Sequence, residues 1–166
     1  MKQPLTSKQY FKALSITYYA LITGQVIFMI IAFFSPYFFE KLILSDKEQM
    51  YAALLVSFIC VFGFSFSRLY FKKSLSRLIQ QENLTEKMQK YQRLIVIKYA
   101  AWETPSICAI IAAFLTGNTI FLTFSILLIL LLFVDKPSKE KAIKELCLSG
   151  EDAQKINTPS EIISFM

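Results

Sequence analysis

Four long apolar blocks divide this 166-residue chain, at 14–34, 50–67, 94–115 and 119–134, and few folds can house them. A helix needs about 17 to 25 residues to cross ~30 Å of hydrocarbon, and the fourth block is the shortest. Only helices and closed barrels satisfy their backbone polar groups in lipid, and none of the blocks alternates as a strand does, so helices are expected. The chain is 55% hydrophobic, with 16 Phe against 4 Gly, which leaves too small a polar share for a soluble domain of this size. The expected fold is all-α: a polytopic four-helix transmembrane bundle over 1–134, then a cytoplasmic helix and tail over 135–166. The first block does not read as a cleaved signal peptide, because it follows a dozen polar residues and runs into Ser35-Pro36-Tyr37 without a small-x-small pattern.

Lysine and arginine set the orientation, since short loops rich in them resist translocation. Lys2, Lys8 and Lys12 precede the first block; Arg68, Lys72, Lys73, Arg77, Lys87, Lys90 and Arg93 lie between the second and third; Lys136, Lys139, Lys141, Lys144 and Lys155 follow the fourth. The opposite side holds Lys41 and Lys47 in one loop and no cation in Thr116-Gly117-Asn118. The pattern predicts a multi-pass protein of the bacterial inner membrane with both termini in the cytoplasm. The net charge of +6 is then mainly a topology signal, and Arg68, Lys72, Lys73, Arg77 and Lys98 are its candidate contacts with anionic lipid. No recognition motif accompanies the charge, so nucleic acid is not an expected partner.

The inventory of reactive side chains is sparse. Cys60, Cys108 and Cys147 lie far apart without C-x-x-C spacing, and the chain has no histidine. Disulfide, zinc and haem frameworks therefore lose support, and no metal or cofactor is expected. There is also no nucleophile elbow, phosphate loop or paired carboxylate set, and no catalytic residue is assigned.

Outside the blocks, residues 71–93 mix charges with Leu75, Leu78, Ile79, Met88 and Tyr91 at helical spacing. This predicts a cytoplasmic helical hairpin turning near Glu82-Asn83-Leu84-Thr85, which either buries its own apolar residues or offers them to a partner. After the fourth block, Asp135-Lys136-Pro137-Ser138 reads as a helix start with proline in the first turn. The helix is expected over 139–148, closed by Gly150, with Ile143, Leu146 and Cys147 on one side. The tail from Glu151 carries no comparable core signal, and is expected to be frayed or ordered by something outside the chain.

Blocks one and three echo each other at an offset of eighty: Tyr19 with Tyr99, Ala20 with Ala100, Ile27 with Ile107, and Ile30-Ile31-Ala32 with Ile110-Ile111-Ala112. A duplicated two-helix hairpin gives such a pattern, and so does chance among apolar residues. In this alignment Thr23 falls opposite Glu103 and Gln25 opposite Pro105, which gathers polar and helix-perturbing residues at similar depth. Glu103 stands near the middle of its block, where an ionised carboxylate without a cation costs several kcal/mol (roughly 3 at a helix centre). The candidate intramembrane polar site is Glu103 with Gln25, Thr23, Tyr19 and Pro105; Pro105 frees the carbonyl of Ala101 and can bend the helix beside the carboxyl. Tyr18, Ser57, Thr123 and Ser125 are further hydrogen-bonding options. Two uses remain open for Glu103: a proton or cation site, or polar adhesion between helices or subunits.

The stretch Trp102-Glu103-Thr104-Pro105-Ser106-Ile107 leading to Ala109-Ile110-Ile111-Ala112 resembles the carboxylate helix of rotary ATPase proteolipids over this one helix. It departs from them in lacking glycine-rich helices and in placing its carboxylate on the first helix of a hairpin. A broader likeness rests on Pro4-Leu5-Thr6, Glu103 with Thr116-Gly117-Asn118, and Lys136-Pro137-Ser138-Lys139-Glu140-Lys141. In these the chain resembles a family of small four-span inner-membrane proteins of Bacteroidota. That family has no established activity, so the resemblance implies compartment and topology only.

Two functions follow as expectations. The first is a non-enzymatic accessory or scaffolding subunit of a larger membrane complex, partnered by another membrane protein or a second copy. The alternative is a small proton- or cation-coupled transporter or channel in which Glu103 titrates.

Overall fold

Helix starts in this chain are written in its capping residues. The computed structural model describes residues 4–38 and 45–165. Lys2 and Lys41, two of the cations in the orientation argument, lie outside the described residues. Strand β1 (Pro4–Thr6) leads into helix α1 (Ser7–Phe34) through a reciprocal capping box. The Gln9 amide N–H donates to Thr6 Oγ1 (3.4 Å), and the Thr6 N–H donates to Gln9 Oε1 (3.1 Å). Helix α2 (Asp46–Ile79) opens in the same way, with Ser45 and Glu48 exchanging bonds of 2.8 and 3.5 Å.

Helix α3 (Leu84–Thr116) starts at Asn83, whose Oδ1 accepts from the N–H groups of Thr85 (2.9 Å) and Glu86 (3.5 Å). It ends at Gly117, which has φ +64° and returns its N–H to the Ala113 carbonyl, the left-handed stop that glycine favours. Asn118 then accepts from the Ile120 N–H at the start of helix α4 (Ile120–Val134) and donates through Nδ2 to Gln49 of α2 at 2.9 Å. The charged stretch after Ile79 therefore turns within four residues, and α2 and α3 each run far beyond their apolar blocks.

The C-terminal region departs from the sequence reading. Helix α5 (Lys139–Glu145) is capped by Ser138, which accepts from the Lys141 N–H at 3.1 Å, so Pro137 stands before the cap and not in the first turn. The helix ends earlier than expected because Cys147 turns left-handed (φ 51°), which leaves its thiol exposed while Leu146 and Leu148 on either side are buried. Gly150 closes nothing: it opens a further helix, α6 (Gly150–Asn157).

The tail is ordered by the chain's own beginning. Strand β2 (Ile162–Phe165) pairs antiparallel with β1, Leu5 facing Ser164, with an irregularity between Leu5 and Thr6. The Ser7 N–H bonds the Glu161 carbonyl (2.8 Å), the Ser7 hydroxyl donates to the Ile156 carbonyl, and Gln89 donates to the Phe165 carbonyl at 2.8 Å. Ile156 and Ile163 are fully buried. The frayed or externally ordered tail is thus corrected, and the fold is helical with one two-stranded sheet.

The described residues divide into two units. One draws on 1–19, 68–98 and 136–166 and contains both strands, α5 and α6. Its core includes Tyr10, Leu14, Leu78, Met88, Tyr91, Ile95, Leu146, Ile156 and Ile163. The Tyr10 hydroxyl donates to the Met88 carbonyl at 2.8 Å, and the Tyr91 hydroxyl donates to Glu145 of α5 at 2.7 Å. Of the hairpin residues read as apolar, Leu78, Met88 and Tyr91 are buried, Leu75 is half-buried and Ile79 is exposed. The first turns of α1 and the short helix α5 supply hydrogen-bonding partners that the hairpin alone lacks.

The other unit draws on 20–67 and 99–135. Its core is built from Ala32, Val56, Cys60, Ala109, Ala113, Phe121, Leu122 and Leu128. Small residues at such contacts let helix backbones approach, which is how helices associate where lipid removes the hydrophobic drive. Among the described residues three helices are long and apolar enough to cross a membrane: Ser7–Tyr37, Lys47–Ile79 and Leu84–Thr116. Helix α4 has 15 residues, about 22 Å at 1.5 Å each, and does not reach that length by itself.

Candidate functional site

Within the apolar unit, Glu103 is half-buried on α3, between buried Trp102 and exposed Thr104. No hydrogen bond or ion pair among the described residues reaches its carboxyl, and none joins it to Tyr19, Thr23 or Gln25. Thr23 is exposed on α1. Tyr19 is 46% exposed and belongs to the other unit, where the Lys136 ammonium lies 5.5 Å from its ring centroid.

Gln25 is different. Its side chain is 1% exposed, and neither its amide oxygen nor its amide nitrogen has a partner among the described residues. Buried polar groups are almost always satisfied, so this amide stands out among the side chains of the apolar unit. Gln25 is the sixth residue of α1 past the boundary between the units at Tyr19, and Glu103 is the fifth of α3 past Lys98. The two polar side chains thus stand at similar depth in the apolar unit.

The remaining hydroxyls are already committed. Ser57 donates to the Ala53 carbonyl, Thr104 to Ala100 and Thr123 to Ile120. Ser106 and Ser125, both fully buried, share a 2.7 Å bond between α3 and α4. Ser125 was read as an option for Glu103, but its partner is Ser106, one residue past Pro105; the pairing was missed because two serines nineteen residues apart carry no local signature.

No protein-family model, curated protein or solved structure matches this chain. The assignment to a Bacteroidota family accordingly has no matching model behind it, and what stands is a helical protein with several long apolar helices. Among the described residues no group of three or more His, Cys, Asp or Glu side chains could hold a metal ion.

Pro105 faces α2. A Cβ built on Gly63 would lie 2.7 Å from Pro105 Cγ and 3.7 Å from the Ala101 carbonyl oxygen that the proline leaves without its usual helical donor. α3 nevertheless continues unbroken through Pro105 to Thr116. Beside this contact runs a groove of about 280 Å³, lined by Phe58, Phe62, Phe66, Gly63, Thr104 and Pro105. Phe58, Phe62 and Phe66 are stacked with centroids 5.9 and 6.2 Å apart and are each more than half exposed, forming an aromatic ladder along α2. The four-residue spacing of these rings is legible in sequence; their stacking is not.

Of the basic residues, Arg68, Lys72, Lys73 and Arg77 lie exposed on α2. Lys98 does not: it is 7% exposed, and its ammonium lies 4.4 Å from the centroid of the buried Phe71 ring. Such a cation–π contact helps to keep a buried ammonium in a favourable field.

Proposed function

We propose that the protein is a non-enzymatic, four-span integral membrane protein with both termini in the cytoplasm, serving as an accessory or scaffolding subunit of a larger complex. The pairing of β1 with β2 supports the topology: strands that share hydrogen bonds lie on one side of a bilayer, so the number of crossings is even. Three helices have the length to cross, and α4, with no charged residue between Ile120 and Val134, is the fourth. At about 22 Å it is short for a ~30 Å core, a mismatch that local thinning and flanking polar residues absorb at modest cost. The cationic loops put the paired termini in the cytoplasm.

The subunit role rests on one observation, the half-buried Glu103 with no partner among the described residues. A charged or hydrogen-bonding group in hydrocarbon seeks a partner, and one that its own chain does not supply is supplied from outside. The exposed phenylalanine ladder on α2 adds a rigid apolar face for a neighbouring helix. Glu103→Ala should weaken association with a stoichiometric membrane partner by about three- to twenty-fold, the range spanned by interhelical side-chain hydrogen bonds. Affinity capture of the tagged chain from gently solubilised membranes, compared between wild type and variant, checks this. A wild-type protein that is monomeric and partnerless after such extraction would sink the reading.

Gln25 favours a second reading, in which the protein is a small proton- or cation-coupled transporter or channel. An unpaired buried amide at the depth of a membrane carboxyl is the kind of position that a permeating cation or water fills. In proteoliposomes this reading requires flux that Glu103→Gln abolishes while the helical fold survives; equal flux in both proteins rejects it.

A further inference from the structure

The cationic hairpin contains a cleft that the subunit reading does not use. It opens between α2 and α3, has a volume of about 180 Å³, and is lined by Tyr70, Ser74, Leu78, Lys90, Arg93, Leu94 and Ile97. Lys90 and Arg93 are three residues apart on α3 and so project from the same face. Both are exposed, neither has an ion-pair partner among the described residues, and no acidic side chain lines the cleft. The Ser74 hydroxyl stands on the opposite helix with no hydrogen bond among the described residues. Leu78 and Leu94 are buried and form an apolar floor, while Ile97, at the end where the apolar run of α3 begins, is 47% exposed.

Two uncompensated cations and a free hydroxyl above an aliphatic floor match one chemistry: a phosphate group carried on an apolar body. We infer that this cleft binds the headgroup phosphate of an anionic phospholipid, with Lys90 and Arg93 holding the phosphate, Ser74 donating to one of its oxygens, and Leu78, Leu94 and Ile97 covering the first carbons of the glyceride. Arginine supplies the forked donor that suits phosphate oxygens, and lysine supplies a mobile point charge. The aliphatic floor argues for a lipid over free phosphate, which gains nothing from Leu78 or Leu94. This inference rests on the membrane placement but not on the subunit role.

Native mass spectrometry of the full chain in detergent micelles, titrated with phosphatidylglycerol or phosphatidylcholine, tests it. Phosphatidylglycerol should bind the wild type in preference to phosphatidylcholine. The double variant K90Q/R93Q should bind it roughly 25-fold more weakly, at about fivefold for each cation lost. K8Q/K12Q removes the same charge from exposed positions of α1 outside the cleft and should leave binding essentially unchanged. Equal weakening by the two double variants would overturn the site in favour of diffuse surface charge. Displacement of the lipid by inorganic phosphate at millimolar concentration would overturn the lipid in favour of a free anion. Carbonate extraction of native membranes separates the layers of the argument: a chain released by carbonate refutes membrane placement, whereas a retained chain that ignores phosphatidylglycerol refutes only the cleft.

Discussion

Ile163→Asp is expected to release the C-terminal strand and to destabilise the unit around it by at least about 4 kcal/mol, near the upper end for one substitution. The side chain is fully buried on a four-residue strand that pairs with β1. Removing a buried aliphatic side chain alone costs about 2 to 5 kcal/mol. The buried carboxylate adds a desolvation cost of its own. The damage should spread along the bonds that depend on the strand's position. Gln89 donates to the Phe165 carbonyl, and Ser7 bonds both the Glu161 carbonyl and the Ile156 carbonyl. A disulfide between Leu5→Cys and Ser164→Cys, in a chain with Cys60, Cys108 and Cys147 replaced, reports the pairing directly. Facing residues in an antiparallel pair have Cα atoms about 4.5 to 5.5 Å apart, inside the range of about 4.4 to 6.8 Å that a disulfide spans. The cross-link should form in the parent, persist with Ile163→Val and disappear with Ile163→Asp. A cross-link that survives the aspartate would show that the strand does not need this burial.

What the sequence made legible was set by how local each signal is. Helix type and approximate position followed from apolar blocks, as did the turn near Asn83 and a helix start close to Ser138; the caps at Thr6 and Ser45, which act within three residues of themselves, were local signals left unread. Gly117 likewise marks the end of α3 by its own backbone. The sheet was not legible: Pro4-Leu5-Thr6 and Ile162-Ile163-Ser164-Phe165 are too short to show strand alternation, and their pairing joins opposite ends of the chain. Gly150 misled because glycine serves either side of a helix boundary, and the left-handed residue that ends α5 is Cys147, a type with no preference for that conformation. At the candidate site, sequence singled out Glu103, Gln25 and Pro105 by their chemistry, but partners are a matter of three dimensions. Of the hydroxyls proposed for Glu103, Ser57 and Thr123 turn back onto their own helices and Ser125 pairs with Ser106. The Glu103 carboxyl and the buried Gln25 amide are left without partners among the described residues, which makes the site more informative than the hydrogen-bonded cluster that the alignment suggested.

Gly63→Leu is expected to force α2 and α3 apart and to cost about 3 kcal/mol, the upper end for inserting atoms into a packed contact; Gly63→Ala should cost about 1 to 2 kcal/mol. Even a bare Cβ at this position lies 2.7 Å from Pro105 Cγ, closer than such contacts permit, and a proline ring cannot swing aside as a lysine tip can. The helix backbones must therefore move, and α3 carries Glu103 two residues from the point of impact. Gly24 provides the contrast within the same unit, because a Cβ there meets nothing within 4 Å. Gly24→Ala should stabilise α1 by roughly 0.5 to 1 kcal/mol through helix propensity alone, so the two glycines should respond with opposite sign. Reversible unfolding in mixed micelles measures both. The cause can be isolated with a double-mutant cycle, since Pro105→Ala removes the opposing ring and restores a backbone donor towards the Ala101 carbonyl. If ring contact is what excludes a side chain at Gly63, Gly63→Ala should cost little in the Pro105→Ala background. An unchanged cost would show that the Pro105 ring is not what excludes a side chain at Gly63. A loss of partner binding in Gly63→Leu that Pro105→Ala restores would tie the spacing of α2 and α3 to the presentation of Glu103.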